Sequence, residues 1–149
     1  LGATNRLAVL QHSSLKRSIK SPEDLNRLDR IAIGGPNVPL GEKTREALAA
    51  HLPSINRVIV GRNAEQVFRL VESGEVDAAV VYLSDAAFAK DSRLSFVISE
   101  RLHTPMKYWV ALLEGAPEDA RLFYDQLATG ETTIIGLQGS RWAQGEISQ

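Results

Sequence analysis

The chain has no cysteine, which excludes disulfides, thiolate-held metals and a cysteine nucleophile. It also lacks a charge excess. With 17 Lys and Arg against 18 Asp and Glu, the formal net charge is -1, so there is no basic stripe for nucleic acid and no polybasic patch for a membrane surface. Any bound anion must be held by local groups. No apolar run is long enough to span a bilayer, and Leu1 opens no charged-then-apolar leader pattern. A chain that starts at Leu reads as processed or cut from something longer. Catalytic signatures are missing as well: there is no G-x-S-x-G elbow and no G-x-x-x-x-G-K-[ST] phosphate loop. His12, His51 and His103 are scattered without metal-ligand spacing and read as surface or loop histidines. These absences describe a binding domain rather than an enzyme, with no metal or cofactor called for.

What is present suits a core. The 149 residues are 44% apolar and 23% charged, enough for about one domain. Leu7–Leu10 reads as a strand followed by the polar, basic stretch Gln11–Lys20. Ser21, Pro22, Glu23 and Asp24 give a cap hydroxyl, a first-turn proline and acids, opening a brief helix to Leu28. Strands follow at Ile31–Ile33, Asn56–Val60, Val76–Tyr82 and Ser95–Ile98. Between them lie helices over Glu42–His51, from Asn63 to a Gly74 stop, and over Ser84–Lys90. In the second of these, Ala64, Val67, Phe68 and Val71 share one face, and Asn63 with Gln66 forms a capping box. Tyr108–Leu113 is a further strand. Pro117–Asp119 opens a helix with Ala120, Phe123, Tyr124 and Leu127 on one side and Gly130 at its end. Gly136, Gly139 and Gly145 break every periodicity afterwards, so no structure is assigned to Gly130–Gln149. Alternating strands and helices predict an α/β fold, a mostly parallel sheet with helices on both faces.

The stretch Ile31–Leu48 organises this reading. A buried strand meets a Gly/Pro-rich loop and then a helix start, which points unpaired N–H groups and a positive dipole end at whatever lies above the strand. Right-handed crossovers bring three such junctions to one edge: Gly34–Glu42, Gly61–Glu65 and Tyr82–Asp85. The first offers N–H groups near Leu40 and Gly41, with Gly34 and Gly35 allowing the turn and Pro36 and Pro39 stiffening it. The second offers Ala64 and Glu65, and the third the hydroxyl of Tyr82. Donors without an obligatory acceptor suit a fully deprotonated oxyanion such as molybdate, tungstate or sulfate. A protonated phosphate would leave a mismatch worth roughly 1 to 3 kcal/mol. Plain structural readings stand beside these: a cap for Asn63, a packing role for Tyr82, a simple helix start for Ser84 and Asp85, and solvent-facing side chains for Arg45 and Arg62.

The segments IAIGGPNVPLGEKTREAL, NAEQVFRLVESGEVDAAVVYLSDA and YWVALLEG, in that order, resemble the second lobe and return strand of the periplasmic molybdate-binding proteins of ABC transporters, over roughly Asn5–Leu127. The resemblance implies two α/β lobes joined by crossing strands that clamp a tetrahedral oxyanion without metal or cofactor. It implies backbone donors at Leu40 and Ala64 and a hydroxyl donor at Tyr82, supported by Gly34, Gly35, Pro39, Gly41, Asn63, Ser84 and Asp85. It also implies a permease partner and a periplasmic or extracytoplasmic location.

On this pattern residues 1–113 form an oxyanion-binding lobe bounded by hinge-like strands at about 7–11 and 108–113, and residues 114–149 are a return segment. The serine-bearing first lobe of the family is absent, which would expose apolar surface and invite dimerisation or strand exchange. Leu40 is bulkier than the small residue common there, and the Gly-broken tail departs from the family's terminal helix. The alternative is the ligand-sensing effector domain of a transcription regulator with the same fold.

Overall fold

Leu7, Ala8, Val9 and Leu10 follow one another without a polar break, and all are fully buried, as a strand covered on both faces requires. In a computed structural model that describes residues 2–129, the elements run β1 (Gly2–Asn5), β2 (Leu7–His12), β3 (Ile31–Gly34), α1 (Pro39–Leu48), β4 (Val58–Gly61), α2 (Ala64–Glu72), β5 (Ala78–Tyr82), α3 (Leu83–Ala86), β6 (Ser92–Val97), β7 (Met106–Trp109) and α4 (Glu118–Thr129). They fall into two units, residues 6–104 and residues 1–5 with 105–149.

In the larger unit the strands lie in the order β4-β3-β5-β2-β6. Strands β4, β3 and β5 are parallel, with Ile31 beside Val58 on one side and beside Ala78 on the other. The step from β3 through α1 to β4 and the step from β4 through α2 to β5 go in opposite directions, so right-handed crossovers put α1 and α2 on opposite faces. The α/β architecture agrees with the sequence reading, but the sheet is mixed rather than mostly parallel. Strand β2 runs antiparallel to both β5 and β6. A strand buried on both faces reads as a continuous apolar run whatever its direction, and the Ser13–Arg30 connection carries no crossover α-helix, only a 3-10 turn at Pro22–Arg27. Residues 7–11, expected as a crossing strand, therefore lie inside this sheet, between β5 and β6.

Local chemistry explains the boundaries. Asn63 accepts a 2.8 Å bond from Gln66 N while the Gln66 side chain accepts one of 2.7 Å from Arg62 N, closing the start of α2. At its other end Gly74 takes φ +74. There Glu75 N reaches Leu70 O and Gly74 N reaches Val71 O, the paired bonds of a Schellman stop. Val67 and Val71 are fully buried, whereas Ala64 and Phe68 on the same face are only half covered. The expected helix Ser84–Lys90 shrinks to Leu83–Ala86: Phe88 N and Ala89 N bond three residues back, to Asp85 O and Ala86 O at 2.9 and 3.3 Å, and Glu72 accepts from the backbone N–H groups of Lys90 and Asp91 at 2.9 and 3.2 Å. Buried Gln11 holds the basic Gln11–Lys20 stretch: its amide donates to Leu15 O and Arg17 O at 3.0 and 2.9 Å and accepts from Ser95 Oγ at 2.9 Å.

In the smaller unit β1 and β7 pair antiparallel, Gly2 beside Trp109 and Asn5 beside Met106. The strand expected over Tyr108–Leu113 ends at Trp109, and Gly115 turns at φ +75. Of the expected apolar face of α4, Leu127 is buried while Phe123 is half exposed; Trp109, Leu113 and Leu122 are exposed too. The expected helix end at Gly130 and the Gly130–Gln149 tail lie outside the described residues.

Candidate functional site

Gly34 of β3 sits in register with Gly61 of β4, and Gly35 N donates 2.9 Å to Gly61 O. The chain leaves these neighbouring strands toward opposite faces, which opens a crevice above their carboxyl ends, the usual ligand position in such sheets. Two helix starts border it. In α1 the first helical bond runs from Glu42 N to Val38 O at 3.0 Å. Pro39 has no N–H, so Leu40 and Gly41 carry the first-turn donors that the helix itself leaves without acceptors. In α2 the first helical bond is Val67 N to Asn63 O and Gln66 N is capped by Asn63, which leaves Ala64 and Glu65 in the same position.

The close seating of α1 on β3 depends on paired glycines. A Cβ on Gly34 would stand 2.6 Å from Gly41 N, and a Cβ on Gly41 would run into the carbonyl oxygens of Gly34 and Gly35. Leu40, with its backbone at the helix start, sends a fully buried side chain into the core, so one residue serves both the junction and the packing. Arg45, expected to face solvent, instead donates 2.9 Å to Gly34 O and 3.0 Å to Gly41 O. No local sequence signal marks this role, since both acceptors are main-chain carbonyls, and one of them, Gly34 O, lies on the strand. Arg62 is exposed, as expected.

The third junction follows β5. Tyr82 is half buried, pairs with Leu7 and supplies the residue before α3. Ala64, Tyr82 and Asp85 line one open concavity of about 930 Å3 together with Phe68, Phe88 and Lys90. Leu40, Gly34, Gly35, Pro39 and Gly41 lie outside its walls, at the β3 junction. Ser84 is buried and its hydroxyl lies 3.5 Å from Asp85 Oδ1. Burial pushes the Asp85 carboxyl up, and the Ser84 contact offsets part of that rise. At the far end burial works to raise the Glu72 carboxyl, but the Ser92 hydroxyl and the backbone N–H groups of Lys90, Asp91 and Ser92 together hold it below its ordinary value. Phe68 was expected on the packing face of its helix, and Phe88 was not singled out from sequence, since an exposed phenylalanine after a short helix carries no signal of its own.

The histidines do not gather. His51 lies 4.0 Å from Glu23, and His12 Nδ1 is 2.7 Å from Ser14 Oγ. His103 differs from the surface reading: it is buried, with Nδ1 2.9 Å from Thr104 O. Among the described residues no group of three or more His, Asp or Glu side chains is arranged to hold a metal ion, and no helix is long and apolar enough to cross a membrane.

Comparison with known proteins places this arrangement. Residues 3–135 match the family described as bacterial extracellular solute-binding protein. A putative ABC transporter substrate-binding lipoprotein of Bacillus subtilis is 29% identical over 137 residues, covering 88% of this chain and 53% of the relative. The chain thus spans about half the length of that protein. Among solved structures, the substrate-binding domain of a putative molybdenum ABC transporter from Clostridium difficile superimposes with a TM-score of 0.70 at 22% identity, over 83% of this chain and 57% of its own. The protein PEB3 with bound L-phospholactate gives 0.68 at 18% identity, over 88% and 62%. Identities this low speak for the fold, which is that of the periplasmic binding proteins, while the family match covers most of the sequence. The chain belongs to the bacterial extracellular solute-binding protein family.

Proposed function

We propose that the junctions after β3, β4 and β5 form a seat for a tetrahedral oxyanion, molybdate or tungstate, bound by the backbone N–H groups of Leu40 and Ala64 and the hydroxyl of Tyr82. Gly34, Gly35, Pro39 and Gly41 shape the first loop, Asn63 fixes the start of α2, and Ser84 with Asp85 borders the third donor. The feature that supports this reading is the position of two helix starts, whose first-turn N–H groups at Leu40 and Ala64 the helices leave without acceptors, and of Tyr82 at the carboxyl ends of three adjacent parallel strands. The Clostridium difficile neighbour, described as part of a putative molybdenum transporter, supports the choice of oxyanion.

In this reading the chain is the oxyanion-binding part of a receptor that acts outside the cytoplasm and delivers its ligand to an ABC permease, without catalysing a reaction. Residues 1–113 carry the seat and residues 114–149 return toward a further lobe. The exposed Trp109, Leu113, Leu122 and Phe123 support self-association of the isolated chain, which sedimentation would read.

Titration calorimetry tests the function. On a protein extended to include the other lobe, molybdate and tungstate should give heat at concentrations where sulfate gives little. The 149-residue chain should bind more weakly by orders of magnitude, because part of the wall is missing. Absence of heat with both metal oxyanions, or heat with L-phospholactate alone, overturns the assignment.

A further inference from the structure

At the middle of α1, Lys43 Nζ lies 2.8 Å from Glu46 Oε1. The other oxygen of that carboxylate accepts from Thr104 N at 2.8 Å and from Thr104 Oγ1 at 2.9 Å. Lys43 Nζ also donates to Thr104 Oγ1. Thr104 is the last residue of the larger unit, and Pro105 begins the return into the smaller one. The sequence separation between Glu46 and Thr104 is 58 residues, so this is a tertiary closure and not a local turn. Next to it, the buried ring of His103 has Nδ1 2.9 Å from Thr104 O, while its Nε2 has no partner. The Thr104 backbone is therefore approached on both its N–H and its carbonyl side.

The same helix is fixed at its start. Arg45 holds the carbonyls of Gly34 and Gly41, and the glycine contacts seat the first turn on β3. Helix α1 is thus a short rigid strut with the Leu40 junction at one end and the chain exit clamped to its flank. Glu46 is suited to the clamp chemically: the Lys43 ammonium, followed by the backbone N–H and hydroxyl of Thr104, holds its carboxyl down at about 2, so it accepts as a carboxylate at any ordinary pH.

We propose that Lys43, Glu46 and Thr104 form a latch that positions the exit of the chain from the larger unit on the helix bearing the Leu40 donor, so that occupation of the anion seat is felt at the passage between the units. Glu46 and Thr104 are positioning residues; neither touches the anion. The coupling rests on the oxyanion reading, whereas the latch itself does not.

Amide hydrogen exchange on the protein extended to include the other lobe separates the two. Without anion, Glu46→Ala should speed exchange at Thr104 and at Met106–Tyr108 by roughly tenfold or more, with β3 and β5 unchanged. Thr104→Val should speed it less, and Thr104→Ser should match wild type. With sodium molybdate, wild type should slow at Leu40, Gly41 and Thr104, and Glu46→Ala at Leu40 and Gly41 only. Wild-type exchange at Thr104 and Met106–Tyr108 in anion-free Glu46→Ala overturns the latch. Molybdate protection that reaches Thr104 equally in Glu46→Ala, or that stops at Leu40 in wild type, overturns the coupling. If molybdate protects neither Leu40 nor Gly41 in wild type, the oxyanion reading fails, and the anion-free comparison decides the latch.

Discussion

Replacing Gly41 by alanine sets two physical effects against each other. In a helix interior alanine is favoured over glycine by about 1 kcal/mol, so a propensity argument predicts a more stable protein. Packing predicts the reverse. The added Cβ would enter the space of Gly34 O, Gly35 O and Gly34 C, all main-chain atoms that no rotamer change can move aside. Relief requires α1 to lift away from β3, and Leu40, Thr44 and Leu48, which are fully buried on that helix, would lose part of their contact. Overpacking costs about 1 to 3 kcal/mol and sometimes more; since backbone must yield here, the upper end applies. After the propensity gain, the expected net loss is about 2 kcal/mol, read as a lower urea midpoint at unchanged slope. Because the lifted turn carries the Leu40 N–H and breaks the Arg45 bonds to Gly34 and Gly41, oxyanion affinity should fall with stability. A Gly41→Ala protein as stable as wild type, or more so, would refute the close seating of helix on strand and with it the preset geometry of the first donor.

Tyr82→Phe removes a hydroxyl without a backbone change, so it should lower oxyanion affinity by about 1 to 3 kcal/mol in calorimetry with the fold intact; unchanged affinity makes Tyr82 a packing residue. Gly74→Ala forces a side chain into φ +74 beside the His12 ring and should cost about 1 to 2 kcal/mol in urea denaturation; a neutral result would contradict the Schellman stop. For Asp85, burial raises the folded-state carboxyl above its unfolded value of about 3.8. Its contribution is complete below that unfolded value and is lost as pH rises through the raised folded one. Asp85→Asn should therefore gain thermal stability relative to wild type as pH increases across that window, and a difference independent of pH would show that Asp85 is not desolvated.

Local signals placed α2 to within a residue at each end, because Asn63, Gln66 and Gly74 act on groups a few positions away. They misplaced the ends of α1 and α3. Helix α1 begins at Pro39, earlier than the run of good helix formers indicated, since a proline at the first position needs no donor. Helix α3 stops at Ala86, where Phe88 and Ala89 bond three residues back instead of four, and Glu72, distant in sequence, takes the N–H groups of Lys90 and Asp91 beyond it.

The sequence by itself determined that strands and helices alternate, that three strand ends meet helix starts, and that Leu40, Ala64 and Tyr82 stand at those junctions. Each follows from periodicity, caps and glycine or proline positions, which act over a few residues. Only the tertiary structure decided that β2 runs antiparallel between β5 and β6, that Arg45 turns inward to two carbonyls, and that Glu46 reaches Thr104. Strand direction depends on how the connections route and salt-bridge choice on which surfaces the fold brings together, and neither leaves a mark in local composition. The stretch from Ile31 to Leu48 shows the division: its strand, loop and helix are written in order along the chain, whereas the backbone contact of Gly34 with Gly41 that sets the donor in place exists only once the helix has folded back on the sheet.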